Sequence, residues 1–217
     1  MRIEKMPLKT VFWYALFALA MAYLESAVVV YLRLLYYPAG FQFPMIPIPS
    51  QIAIIETGRE AATLIMIWAV ARIGRNAFKE RFTLFCFIFG IWDLAYYAWL
   101  YLFIGWPGFW LEWDILFLIP VPWIAPWLAP ALVSIGLIGV SLTILFSPER
   151  FPESIFSSSE WRMVLFGGIL ILASFFWQTK NILEGGIPVY FPWPLFGIGY
   201  GIGIWPFLHH IRNKRPI

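Results

Sequence analysis

The sequence predicts an all-α integral membrane protein with about six transmembrane helices, formed by one transmembrane domain that covers residues 1–217. Three observations support this fold class. Hydrophobic residues make up 61% of the chain and charged residues only 12%, with a mean hydropathy of +0.77, whereas about 25% of residues are charged in soluble domains. Apolar stretches recur with the length of about 20 residues that a helix needs to cross the hydrocarbon core. Basic residues are concentrated at those ends of the apolar stretches that lie on one side of the predicted membrane.

Six apolar stretches give the predicted helices. They lie near residues 11–36, 51–73, 82–104, 121–146, 161–180 and 193–211. Proline and glycine punctuate the intervals between them, and Ser157 followed by Glu160 predicts a capping box before the fifth helix. The basic N-terminus and first apolar run share features with a signal peptide. Because that run continues to Tyr37, we expect an uncleaved first helix instead.

The basic residues predict the orientation of the helices, because Lys and Arg collect in cytoplasmic loops. Twelve of the fifteen fall on one side: Arg2, Lys5, Lys9, Arg72, Arg75, Lys79, Arg81, Arg150, Arg162, Arg212, Lys214 and Arg215. Both termini are therefore expected to be cytoplasmic, in a bacterial or archaeal cytoplasmic membrane. The sequence pI near 9.0 reports this orientation, and no nucleic-acid partner is expected.

Residues 105–131 differ from the other connections. This segment is too apolar for a water-exposed loop and holds too many prolines for one regular helix. Non-helical backbone at membrane depth must be sheltered by protein or water, and tryptophan favours membrane interfaces. We predict a Pro/Trp-rich cap on the outer face, partly re-entrant, which overlaps the start of the fourth helix.

Several acidic residues lie within the apolar stretches that are predicted to span the membrane. A charge at the centre of a transmembrane helix costs about 2.5–3.5 kcal/mol on insertion scales, so such residues usually face the protein interior and mark function. Glu56 and Glu60 are four residues apart and share a helix face. We expect a pocket in the outer half of the membrane with these catalytic residues: Glu25, Glu56, Arg59, Glu60 and Asp93. The expected substrate-contacting lid consists of Asp114, Tyr96, Tyr97 and Trp113.

Two interpretations of these charges compete. In the first, Arg59 neutralises its neighbours in a structural ion-pair network, and Arg33 reaches the interface by snorkelling. In the second, the excess of carboxylates needs protons, a divalent cation such as Mg²⁺, Ca²⁺ or Mn²⁺, or a cationic ligand. His209 and His210 lie at the opposite end of the helices, which disfavours haem. Cys86 is the single cysteine, so the chain holds no internal disulfide.

Glycines in the last stretch predict a helix-packing surface. Gly197, Gly199, Gly201 and Gly203 form two overlapping G-x-x-x-G pairs, a pattern that allows close helix contact. Gly201 is expected to face another helix. Gly167 in the fifth stretch is one candidate for the surface that packs against these glycines. A helix of a partner membrane subunit is the other candidate.

Three functions remain open from the residues alone. The first is a membrane enzyme that acts on a lipidic or isoprenoid substrate by carboxylate acid/base chemistry. The second is a non-catalytic subunit of a larger membrane complex, and the third is the movement of protons or cations. Membrane lipids are expected contacts in each case.

Overall fold

The computed structural model describes residues 5–73, 77–148, 151 and 156–213. Within this part of the chain the structure is mainly helical, with one short β-ribbon. The elements in chain order are α1 (Leu8–Tyr36), α2 (Ser50–Arg72), α3 (Phe78–Ile104), β1 (Trp113–Ile115), β2 (Ile124–Pro126), α4 (Leu128–Phe146), α5 (Ser158–Phe176), α6 (Thr179–Leu183) and α7 (Trp193–Asn213). Five of the basic residues used for the orientation lie outside the described residues: Arg2, Arg75, Arg150, Lys214 and Arg215.

Four helical segments of the described residues are long and apolar enough to cross a membrane. They are Leu8–Tyr36, Phe78–Ile104, Leu128–Phe146 and Ser158–Leu183. Helix α2 has the necessary length, but Glu56, Arg59 and Glu60 interrupt its apolar stretch. In α7, the glycine, proline, tryptophan and histidine residues lower the mean hydropathy. The outward faces of the helices carry many large apolar side chains, as expected for contact with lipid.

Helix α3 is the centre of the larger helix group. Helices α1, α2 and α4 pack against it, whereas the backbones of α1 and α2 lie further apart and side chains join these two helices. Side chains that are fully buried along this axis include Leu84 and Ile88 of α3 and Ile67 of α2. Helices α5 and α7 form a second, tightly packed pair beside α4. A cleft is therefore left between α1 and α2.

The connection between α3 and α4 corrects the predicted start of the fourth helix. Helix α4 begins at Leu128, so residues 121–127 of the predicted helix instead belong to a non-helical segment, residues 105–127, which we call the cap segment. Strands β1 and β2 pair antiparallel within it, with Asp114 opposite Ala125. The fold is thus not purely α-helical. Proline lacks the backbone N–H that a helix interior requires, and Pro120, Pro122 and Pro126 delay the helix.

The predicted fifth helix is divided in the structure. Helix α5 begins at Ser158, and the capping box between Ser157 and Glu160 is present, as the sequence indicates. The helix ends at Phe176, before the short helix α6. The predicted stretch 161–180 lies within Ser158–Leu183, which is one candidate membrane span, and a two-residue turn at 177–178 separates α5 from α6 inside it.

The glycines of α7 divide between two faces. A Cβ atom on Gly199 would lie 2.8 Å from the carbonyl oxygen of Gly167, and one on Gly167 would lie 2.9 Å from the Cα of Gly203. A Cβ atom on Gly197 or Gly201 would meet nothing within 4 Å, so among the described residues no other helix of this chain packs against Gly201, and its contact with a helix of a partner stays a prediction. Residues two apart point to nearly opposite sides of a helix with 3.6 residues per turn. The four glycines therefore cannot share one surface.

Candidate functional site

Arg59 connects two helices through carboxylates. Its guanidinium forms an ion pair with Glu25 of α1, while its Nε donates a hydrogen bond to Glu56 Oε2 at 2.8 Å. Thr63, one turn further along α2, donates its hydroxyl to the other oxygen of Glu25 at 3.2 Å. The spacing of three and four residues places these α2 side chains on adjoining lines of one face. Two carboxylates thus share a single arginine.

Glu60 has a different kind of partner. Its Oε2 accepts a hydrogen bond from the backbone N–H of Leu118 in the cap segment at 2.8 Å. Only 7% of the residue is exposed. Within the described residues Glu60 forms no ion pair. It is therefore a buried carboxyl group held by the backbone rather than by a cation.

Asp93 lies at the contact between α3 and α4. The hydroxyl of Ser134 donates to Asp93 Oδ2 at 2.8 Å. Gly90, one turn earlier on α3, allows this approach, because a Cβ there would lie 2.9 Å from the carbonyl oxygen of Ser134. Gly90 and Ser134 were not predicted as site residues. The sequence feature that indicates this helix contact is Gly90, a glycine three residues before the acid Asp93.

Asp114 is the buried partner of Arg33. The two side chains form an ion pair at 3.0 Å, and the Arg33 guanidinium carbon lies 3.9 Å from the centre of the Trp106 ring. Arg33 is only 8% exposed, so it does not snorkel to the interface. Burial raises the pKa of the Asp114 carboxyl to about 6, and the Arg33 charge opposes this shift. Arg33 Nη1 and Asp114 Oδ2 are both buried without a hydrogen-bond partner.

Trp113 does not join the site. Successive side chains of a strand point to opposite faces, so Asp114 and its neighbour Trp113 diverge. The Trp113 ring contacts Phe191, with the ring centroids 6.3 Å apart, within a separate apolar cluster beside α5 and α7. The prediction that Trp113 forms part of the lid was therefore wrong.

A small cavity, which we call the carboxylate cavity, brings three acids together. Its volume is about 50 Å³, and its polar lining includes Glu25, Arg59, Glu60 and Asp93. Aromatic rings complete the wall: Trp92, Tyr96, Tyr97 and Phe117. Since one water molecule occupies about 30 Å³ in the liquid, this space suits a few waters or a small polar group.

A second cavity, which we call the amphipathic cavity, lies in the cleft between α1 and α2. Its volume is about 140 Å³. The charged residues of its lining are Arg33, Glu56, Arg59, Glu60 and Asp114, and apolar side chains such as Leu32, Ile46 and Ile48 form the remaining wall. Arg59, Glu60 and Tyr96 line both cavities. Glu60 therefore borders both spaces.

The structure places eight of the nine predicted site residues at these two cavities, with Trp113 as the exception. It adds Arg33 and Trp92, whose indole nitrogen is buried without a partner. Among the described residues, no group of three or more His, Cys, Asp or Glu side chains is placed to hold a metal ion. A third cavity, of about 550 Å³, is an aromatic groove around Tyr101 and Trp110 that has no acidic or basic side chain in its lining.

Fold and site together define a helical protein with four helices apolar enough to span a membrane and a buried cluster of carboxylates and arginines. No protein-family model, curated protein or solved structure matches the chain. Its function is therefore argued from the cluster itself.

Proposed function

We propose that this protein is a membrane-embedded enzyme that acts on an amphiphilic, lipid-like substrate by carboxylate acid/base chemistry. One observation carries the proposal: Glu60 borders both a cavity with a mixed apolar and charged lining and a smaller cavity lined by further acids. An amphiphile can place its chain along the apolar wall and its polar group at Glu60. Ligand sites combine mostly apolar linings with a few convergent polar groups in this way.

Six transmembrane helices are the topology that we propose for this enzyme. Helix α2 has 23 residues and α7 has 21, so at 1.5 Å per residue both reach roughly 30 Å, the thickness of the hydrocarbon core. The acids of α2 are buried rather than directed to lipid, which removes the main obstacle to its insertion. With both termini cytoplasmic, the cluster lies in the outer half of the membrane.

The cleft between α1 and α2 gives a lipid-like molecule a lateral route to the site. Both helices pack against α3 and are joined to each other by the bonds of Arg59 and Thr63 to Glu25, and the amphipathic cavity is lined by residues of both helices. A substrate already dissolved in the bilayer then needs no passage through water. This arrangement favours a lipidic substrate over a soluble one.

The carboxylates divide into two roles in this proposal. Glu25 and Glu56 are held by Arg59, so they act as fixed charges that position the arginine. Glu60 is free of ion pairs within the described chain and lines both cavities. General acid/base catalysis requires a carboxyl group within hydrogen-bond reach of the reacting proton. Glu60 is the group that we assign to proton transfer.

Replacement of Glu60 by glutamine tests this assignment. Membrane lipids of cells that express the wild type, Glu60→Gln or no protein would be compared without preselection of a lipid class. We expect a lipid whose abundance depends on the wild type, and a rate of its conversion that falls about 100- to 10,000-fold in the variant. Glu184→Gln is the matched control, since the Glu184 side chain is 67% exposed and lines neither cavity. Equal lipid profiles for all three samples would contradict the enzyme proposal.

A second candidate is a subunit of a larger membrane complex. Gly197 and Gly201 are exposed on the outward face of α7, and a Cβ atom added at either would meet nothing within 4 Å. Small residues spaced by four allow another helix to approach closely. Purification in a mild detergent distinguishes the candidates, because a stoichiometric protein partner supports the subunit and an isolated chain with bound lipid supports the enzyme.

A further inference from the structure

Among the described residues that line the amphipathic cavity, each cation already forms an ion pair with a carboxylate. Its arginines are Arg33 and Arg59, and each is already paired with carboxylates. Its acids outnumber them: Glu56, Glu60 and Asp114. The adjoining carboxylate cavity adds Glu25 and Asp93. A phosphate head would meet several carboxyl groups and no cation without an ion pair there, and like charges placed together are a means of rejecting a wrong ligand.

Two buried polar atoms at this cavity lack partners. Arg33 and Asp114 both line it, and Arg33 Nη1, a donor, and Asp114 Oδ2, an acceptor, have no hydrogen bond. Both residues are more than nine-tenths buried. Such atoms are uncommon in native proteins because their desolvation is costly. A hydroxyl both donates and accepts, so it matches Arg33 Nη1 and Asp114 Oδ2 together, whereas a head group that only donates leaves Arg33 Nη1 without a partner.

We propose that the substrate head is a hydrogen-bond donor without negative charge, a hydroxyl or an amine, and not a phosphate or diphosphate. This inference rests on the proposed function and specifies its substrate class. Ion pairs with Arg33 and Arg59 hold acidic side chains in place. The acidic side chains in turn determine which head group of a substrate can bind. A long-chain alcohol or amine therefore fits the site, and the phosphorylated form of the same chain does not.

Three probes with the same chain test the selection. The full-length protein in phosphatidylcholine nanodiscs would be given equal mole fractions of hexadecanol, hexadecylamine or hexadecyl phosphate, and retained probe would be counted by native mass spectrometry. We expect the alcohol or the amine to be retained at least about tenfold more than the phosphate, since one like-charge contact costs more than this factor. Equal or preferred retention of the phosphate overturns the substrate class but leaves a lipid site. Retention of no probe overturns both proposals.

The substitution Asp114→Asn tests the selection through a gain in phosphate binding, because misfolding would cause a loss of binding instead. Asp114→Asn frees Arg33 from its carboxylate, so retention of hexadecyl phosphate should rise several-fold above the wild-type level. Glu112→Gln is the matched control, because Glu112 lies in the same cap segment but lines neither cavity. A folded Asp114→Asn protein with unchanged phosphate retention contradicts the inference. If this variant does not fold, the three probes on the wild type decide the question.

Discussion

Arg59 is the residue on which the carboxylate cluster depends, because it pairs with both Glu25 and Glu56. Replacement by methionine leaves these two acids buried without a cation, and removal of one partner of a buried ion pair typically costs about 3–5 kcal/mol. We expect Arg59→Met to lower the unfolding free energy by about this amount, measured by denaturant titration in detergent micelles.

Lys180→Met is the control for that measurement. Lys180 pairs with Glu184 at 3.9 Å, but its side chain is 88% exposed, and exposed ion pairs contribute little to stability. Its replacement should leave the unfolding transition unchanged. Equal stabilities of the Arg59→Met protein and the wild type would show that Glu25 and Glu56 do not need the arginine.

At the residue scale, local spacing predicted some contacts and missed others. The pairing of Arg59 with Glu56 follows from a spacing of three residues on one helix. Arg33 and Asp114 are 81 positions apart, and their contact depends on how the cap segment folds back over α1. Trp113 could not be assigned without the strand, because it is the β-alternation that turns it away from Asp114.

At the element scale, the two glycine faces of α7 give a matched pair of substitutions. Gly199→Leu would force a side chain against the Gly167 carbonyl, whereas Gly201→Leu enters open space. Overpacking typically costs about 1–3 kcal/mol and can cost more against backbone. We therefore expect Gly199→Leu to lower the melting temperature in detergent and Gly201→Leu to leave it near the wild-type value.

The result at Gly201 also bears on the subunit alternative. If Gly201→Leu keeps the fold but releases a co-purifying protein, the outward face of α7 is a docking surface. If Gly199→Leu proves as stable as the wild type, the close contact of α5 with α7 is not present in the folded protein.

Local sequence signals mark the start of α5 and the end of α3, but they do not predict the structure of the cap segment. The capping box at Ser157 marked the start of α5, and glycine marked the end of α3, where Gly105 has a φ of +66°. The ribbon of β1 and β2 has only three residues per strand. An apolar run so short does not distinguish a strand from the beginning of a helix, so α4 was predicted to start too early.

At the scale of the whole molecule, the distribution of basic residues predicts the topology. Alkaline phosphatase folds to an active enzyme only outside the cytoplasm, so its fusion to the loop 37–50 should be active. Fusion after the C-terminus should be inactive, because the flanking bases favour the cytoplasmic side. Activity of the C-terminal fusion would require an odd number of spans, and α2 or α7 would then not cross the membrane.

The overall architecture was predictable to the extent that it depends on composition and periodicity. Apolar length located the helices, and the cost of charge in lipid selected Glu25, Glu60 and Asp93 as groups that meet. The cleft between α1 and α2 was not predictable, since it results from how both helices pack on α3. Which acids form ion pairs and which do not was likewise not predictable, because it depends on where the fold places Arg33 and the backbone of Leu118.

A density map of the protein in lipid nanodiscs tests the central claim most directly. The claim is that an amphiphile binds between α1 and α2 with its polar end at Glu60. The map should show elongated density along the apolar wall of the amphipathic cavity, ending within hydrogen-bond distance of the Glu60 carboxyl group, and this density should be lost in Glu60→Lys. A map in which α1 and α2 close against each other, with no space for a chain beside Glu60, would contradict the account.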